Sequence, residues 1–208
     1  IRTGIQWRCF AKKSTLHRWF QTLNKCGIWQ ALWTLVVGRA RSAKCSDESR
    51  VFLDGNIVKA PLGGDLVGPS PVHRGRLGSK RSVMTDGAGY PISIIMSPAN
   101  THDSKVLADT IAARILQVTA VDLVLDRGYQ GKPAEEICAA AGFTRVLPSK
   151  KLEEVVGRFT HSKDPRQKGR WMIERTFAWL HAFRGLEQRL EKKAANHLAL
   201  LHFWAALV

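Results

Sequence analysis

VLDRGYQGKPAEEIC, residues 124–138, is the stretch on which the reading of the fold turns. An apolar run stops on a carboxylate, Asp126, and the chain then turns through Arg127, Gly128 and Tyr129. Residues 132–142, KPAEEICAAAG, follow with helical character and a closing Gly142, and TRVLPS at 144–149 reads as another strand. With VDLVL at 121–125 before it, the order is strand, helix, strand, the grammar of an α/β fold. Asp126 alone has two readings: a cap for the turn that follows, or an acid held out for chemistry at a strand end.

Working outward, VFLD (51–54) is a short apolar strand that also stops on an acid, Asp54. SVMTD (82–86) and PISIIMS (91–97) flank GAGY as a hairpin. Between the first strand and the hairpin lies a Gly-, Pro- and base-rich loop, residues 56–81. THDSKVLADTIAARIL (101–116) has a cap-like start and helical spacing. At the N-terminal end, Leu16, Trp19, Phe20 and Leu23, then Ile28, Leu32 and Trp33 after the NKCG break, predict two short helices joined by a turn. Residues 38–50 read as an exposed connection. A basic loop at 149–170 leads to an amphipathic stretch, 170–190, and an apolar helix closes the chain at 194–208.

The 208 residues carry 32 Lys plus Arg against 17 Asp plus Glu, a formal net charge of +15. The bases are spread through loops and helices, which points to an extended electropositive surface and a polyanionic partner. Four cysteines, Cys9, Cys26, Cys45 and Cys138, have neither zinc-site spacing nor the density of a disulfide scaffold, and read as free thiols in a reducing compartment. No apolar stretch is long enough to span a bilayer and the start lacks a signal peptide, so no membrane partner and a cytoplasmic location are expected. The chain starts on Ile1 inside a plausible element, which predicts further sequence upstream.

Two strand-end carboxylates brought together would repel unless a divalent cation sits between them, and a hard, oxygen-rich site suits Mg2+ or Mn2+. A third acid, Glu174, shares a helix face with Arg170, Trp171, Phe177 and Ala178. It is served either by an ion pair with Arg170 or by the same ions. Asp54, Asp126 and Glu174 are therefore the candidate metal and catalytic residues of a site holding two ions. Asp86 is explained by the hairpin turn and Asp103 by the first turn of its helix; with Asp65 and Asp122 they rank below the three.

VFLDGNIVKAP, GSKRSVMTDGAGYPISIIMSPANTHDSK, VLDRGYQG and RWMIERTFAWLHAFRGL together resemble the DDE transposases of bacterial insertion sequences, in the group with a D, D-x-G-Y and R-x-x-x-E pattern. The resemblance runs from RTGIQWR to the end of the chain. It implies a ribonuclease-H-like catalytic domain at 50–208, a mixed sheet flanked by helices. A partial N-terminal helical DNA-binding segment at 1–46 precedes it. Asp54, Asp126 and Glu174 are implied as the first, second and third acids, and Arg170 as the signature arginine. His181 stands where the family often has a lysine, and Gln167 where it has a tyrosine. The implied chemistry is hydrolysis at the ends of a transposon and attack of the freed 3′-hydroxyl on target DNA. The implied partners are double-stranded DNA, as terminal repeats and target, and a second copy of the chain, in a nucleoid-associated complex.

Lys59, Arg74, Arg76, Lys80, Arg81, Lys150, Lys151 and Arg175 flank the acids in sequence or share their loops, and are expected nearest the DNA with Arg127, Tyr129, Arg170 and His181. The alternatives are another metal nuclease of similar fold, and a DNA-binding remnant without activity.

Overall fold

The computed structural model describes residue 9 and residues 12–118, 122–148 and 169–208. Lys150, Lys151, Gln167 and most of the basic loop lie outside the described residues.

Two helices come first, α1 (Lys13–Lys25) and α2 (Ile28–Ser42). Gly27, at φ 69°, makes the turn between them in the left-handed region that glycine enters without a side-chain penalty. The stretch expected as a connection from residue 38 is helical as far as Ser42. Arg39 and Arg41 lie in that last turn, where the helix dipole favours positive charge.

A sheet of six strands follows: β1 (Arg50–Lys59), β2 (Gly68–Pro69), β3 (Leu77–Asp86), β4 (Pro91–Pro98), β5 (Asp122–Val124) and β6 (Thr144–Val146). β3 pairs antiparallel with β1 on one edge and with β4 and the short β2 on the other; β5 and β6 continue beyond β1 in parallel. Between the strands are α3 (Asp103–Ala112) and α4 (Lys132–Ala140), and after them come α5 (Trp171–His181), α6 (Arg184–Glu187) and α7 (Ala194–Ala205). This is the expected mixed sheet flanked by helices. Among the described residues no helix is long and apolar enough to cross a membrane.

β1 is two and a half times the expected length and does not stop at Asp54. Its second half, Gly55 to Lys59, stays in register with Ser82 to Gly78 of β3, so the ladder carries polar residues through where the apolar pattern has ended. The same pairing turns Gly78 to Arg81, expected in the loop, into strand. Asp86 is a turn residue as expected: its carboxylate accepts from the Ala88 and Tyr90 amides at 3.1 and 2.8 Å and from the Ser46 hydroxyl at 2.8 Å.

One core serves the whole described chain. Val51, Phe52, Leu53, Met84, Leu123 and Leu125 of the sheet region share it with Leu201 and Trp204 of α7 and with Trp33 and Val37 of α2. The N-terminal helices are thus docked on the body: Trp33 donates from its indole nitrogen to the Pro91 carbonyl at 2.9 Å, and Gln21 donates to Asn196 at 2.9 Å. Arg189, 1% exposed, ties the segment between α6 and α7 down by donating to Ser79 Oγ at 2.6 Å and to the Lys192 and Glu191 carbonyls at 3.0 and 2.9 Å.

Candidate active site

The pairing of β1 with β5 places the two strand acids together. Its last register pair is Phe52 with Val124. Asp54 and Asp126 each lie two residues farther along, and side chains on a strand repeat every two residues, so both carboxylates leave the same face as that pair. β5 has ended there, so the two acids lie at the carboxyl ends of the parallel strands, where α/β folds gather ligands.

The first reading of Asp126, a cap for the turn that follows, is the one seen. It caps the 3-10 turn Arg127–Tyr129, accepting from the Gly128 amide at 2.7 Å, and this bond fixes the carboxylate beside Asp54. Asp54 accepts from the Gly55 amide at 2.7 Å, and its other oxygen lies 3.7 Å from Arg170 Nη2. Gly169 makes that contact possible: with φ at 99°, and with an added Cβ only 3.2 Å from the Phe52 ring, only a glycine lets the chain cross Phe52 and set Arg170 over Asp54. Arg170 is therefore partnered by Asp54.

Burial pushes the Asp54 carboxyl up to about 6, and the negative charges of Asp126 and Asp103 add to this, while the Gly55 amide and Arg170 oppose it. An acid in that condition is short of positive charge. Hard carboxylate oxygens in a partly desolvated pocket, repelling one another, fit a magnesium-like cation, so Asp54 and Asp126 are suited to holding one. Among the described residues no group of three His, Cys, Asp or Glu side chains stands together as a complete cage. Glu174 is exposed on α5, one turn beyond Arg170 on the same face. It is not on the apolar, buried face suggested by its neighbours: Ile173, Thr176, Phe177 and Leu180 form that face.

The expected DNA-facing bases divide into two sets. Lys59, Arg74 and Arg76 are exposed, and Lys59 lines an open cleft of about 320 Å³ with His73, His181, Glu187 and Gln188. His181 Nε2 lies 3.3 Å from Asn56 Oδ1 and 3.4 Å from Arg81 Nη2. Burial first, and the Arg81 charge second, hold its pKa below the usual histidine range, so the ring serves as a neutral hydrogen-bonding group at neutral pH. Arg127 is half-buried at the start of the 3-10 turn.

The other set is engaged by partners within the chain; Lys80, Arg81 and Tyr129 are interior, against expectation, and Arg175 is half-buried. Lys80 is 5% exposed and donates to the Thr101 carbonyl and Asp103 Oδ1, both at 2.7 Å. Arg81, 0% exposed, donates to the Leu186 carbonyl at 2.9 Å and to Asn56 at 2.6 Å. Tyr129 is fully buried in the core. Arg175 donates to the Ala88 carbonyl at 2.5 Å and lies over the Trp171 and Trp179 rings at 5.1 and 4.5 Å. These groups are taken up by internal partners because β3 is central and covered on both faces, and because α5 packs on the 87–89 turn.

Sequence reasoning passed over Asp103. It occupies the first turn of α3, but its side chain crosses to the two strand acids: a Cβ on Gly55 would meet its Oδ1 at 2.7 Å, and one on Gly128 would meet its Oδ2 at 3.5 Å. The available signal was a glycine one residue after Asp54 and another two residues after Asp126, since a glycine inside a strand or turn often marks the close approach of another group.

The family model described as "Transposase DDE domain" matches residues 46–208. The protein named "Putative transposase for insertion sequence element IS402", from Burkholderia cepacia, is 34% identical over 191 residues, 86% of this chain and 86% of that one. Among solved structures, the catalytic core domain of BIV integrase overlaps 74% of this chain and 82% of that one at 14% identity, with a TM-score of 0.39. The match over residues 46–208 and the identity across most of both sequences lead to one conclusion: the chain belongs to the DDE transposase domain family, and its function is that of a DNA transposase.

Proposed function

We propose that the chain cuts the phosphodiester bond at the ends of its own element and joins the freed 3′-hydroxyl to target DNA, using Asp54 and Asp126 with Glu174 from α5. The observation that carries this reading is the meeting of Asp54 and Asp126 two residues beyond the last parallel pair. Divalent magnesium or manganese ions, two in number, would be held by these acids and would supply charge stabilisation at both the attacking and the leaving oxygen of an in-line displacement. The chain's own groups do the remainder. The amides of Gly55 and Gly128 fix the orientation of the two carboxylates. Arg170 offsets negative charge at Asp54 and stands half-exposed at the rim, where it can meet a phosphate.

The exposed bases Lys59, Arg74 and Arg76, with Arg127, are offered to the DNA backbone as a positive track leading away from the acids. Lys13, Arg18 and Lys25 on the exposed side of α1 are offered to the DNA of the element ends. Two copies of the chain would hold two ends. The reading is tested with purified chain and a duplex carrying one element end: cleavage in Mg2+ that disappears with Asp126→Asn supports it, and binding without cleavage in either metal favours an inactive remnant. DNA affinity should fall steeply with salt. Replacing Lys59, Arg74 and Arg76 together by Gln is expected to lower the slope of log K against log salt by about 2.7, roughly 0.9 for each phosphate contact removed; an unchanged slope would remove these three from the track.

A further inference from the structure

Arg81 is a buried cation for which the described residues supply no counter-charge. It is 0% exposed, and its guanidinium is directed at uncharged groups: the Leu186 carbonyl at 2.9 Å, Asn56 Oδ1 at 2.6 Å and the neutral His181 ring at 3.4 Å. Among the described residues no carboxylate comes within ion-pair distance of it, and its Nε has no partner. Burial pulls its pKa down to about 9. Buried charges in folded proteins are ordinarily paired. His181 touches Arg81 and also lines the open cleft of about 320 Å³, so the unbalanced charge stands directly behind the cleft wall.

A second observation concerns the two histidines of that cleft, each of which is engaged by one ring nitrogen. Ser70 Oγ, on a residue that is 0% exposed, accepts from the His73 amide at 3.2 Å. Its own hydrogen is then left for His73 Nδ1 at 2.9 Å, and His73 Nε2 is left to donate. Arg81 can only donate, so it favours the His181 tautomer in which Nε2 accepts and Nδ1 carries the proton. The cleft therefore offers two ring N–H donors beside the Lys59 ammonium. Glu187 is the acid of the lining, and the charges of Lys59 and Arg81, with the exposed Arg74 and Arg76 next along the chain from His73, outweigh it.

The cleft also has a defined place relative to the acids. Asn56, which Arg81 and His181 both touch, lies two residues beyond Asp54 on the same face of β1. Two residues of strand span about 7 Å, the order of the spacing between successive phosphates on one DNA strand.

We infer that this cleft is a phosphate-binding subsite that takes the backbone phosphate next to the one cut, with Lys59, His73 and His181 as its contacts and Arg81 as the positioning residue that supplies buried charge and sets the His181 ring. The place of that phosphate on the DNA rests on the function proposed above; the binding of a phosphate does not.

The experiment measures affinity of the full chain, without divalent metal, for duplexes carrying one element end in which single phosphates are replaced in turn by uncharged methylphosphonate. Wild type is expected to lose about tenfold or more at the phosphate next to the element boundary, the usual size for one charge-assisted hydrogen bond. In Arg81→Met the same replacement should change affinity by no more than about twofold, and Arg81→Lys should restore most of the penalty. If Arg81→Met does not fold, Lys59→Gln combined with His73→Ala, both on the cleft surface, is measured with the same expectation. An equal penalty in wild type and variants overturns the subsite. A penalty that the variants abolish at a phosphate far from the boundary overturns its place beside Asp54. The expected pattern on a duplex that wild type fails to cleave in Mg2+ or Mn2+ keeps the subsite and overturns the catalytic reading.

Discussion

Asp54→Asn is expected to reduce metal-dependent cleavage by at least about 10³-fold, roughly 4 kcal/mol of transition-state stabilisation, and to make the folded chain more stable at pH 7.5. The two effects have one cause. Asp54 is buried beside Asp126 and Asp103, and its carboxyl is pushed up to about 6 from 3.8. A folded-state pKa above the unfolded value means that the native state binds the extra proton between about pH 4 and 6, so stability falls as pH rises through that window. Above it, the ionised carboxylate lowers stability by up to about 3 kcal/mol, at about 1.4 kcal/mol per pKa unit.

Asparagine removes the charge and keeps an oxygen for the Gly55 amide, at the expense of the long contact with Arg170. The melting temperature of the variant should exceed that of wild type above pH 6, and the difference should fade toward pH 4. Added Mn2+ should stabilise wild type by mass action and leave the variant unmoved. Melting curves at pH 4, 6 and 7.5, with and without Mn2+, check all of this; equal curves at pH 7.5 would show that Asp54 is not under electrostatic stress.

Trp33→Ala is expected to lower stability by about 3–5 kcal/mol, the usual range for emptying a large buried aromatic site. The indole is 1% exposed, bonded to the Pro91 carbonyl at 2.9 Å and stacked on the His202 ring with centroids 5.0 Å apart. Its loss leaves a cavity between α2, α7 and the hairpin, and a buried carbonyl without its donor. In a chain of this size that corresponds to roughly a 10 °C fall in melting temperature.

A second readout comes from His202, whose pKa burial pulls down to about 4. Opening the site to water should bring it back toward the ordinary histidine value, as seen by NMR titration. Because the folded value is depressed, this histidine costs wild-type stability as pH falls from about 6.5 toward 4, and the variant should lose that dependence. An unmoved melting temperature would mean that α1 and α2 are only loosely attached to the body.

Much of the fold was legible because its local signals agree with its tertiary role. Continuous apolar runs at 51–53 and 123–125 become central strands, the DGAG turn makes the hairpin, and the capped stretch after Asn100 becomes α3. The misreadings fall where neighbours overrule local pattern. Residues 55–59 and 78–81 are interrupted by glycine and polar residues, yet they are strand because each supplies the other's ladder partners. Lys80 and Arg81 read as surface bases, since charge in a loop-like stretch is ordinarily solvated. Asp103, Asn56 and backbone carbonyls gather them inside instead.

By itself the sequence determined the α/β class, the basic character of the surface, the family, and the two strand acids, because periodicity, charge and motif order are properties of the chain alone. Only the tertiary structure decided which groups surround those acids. The Phe52 with Val124 register brings Asp54 and Asp126 to one face, the crossing at Gly169 sets Arg170 on Asp54, and the bare Gly55 and Gly128 admit Asp103 from a helix. The physical reason is that a carboxylate's chemistry depends on burial and on charges a few ångströms away, and these come from residues distant in the chain.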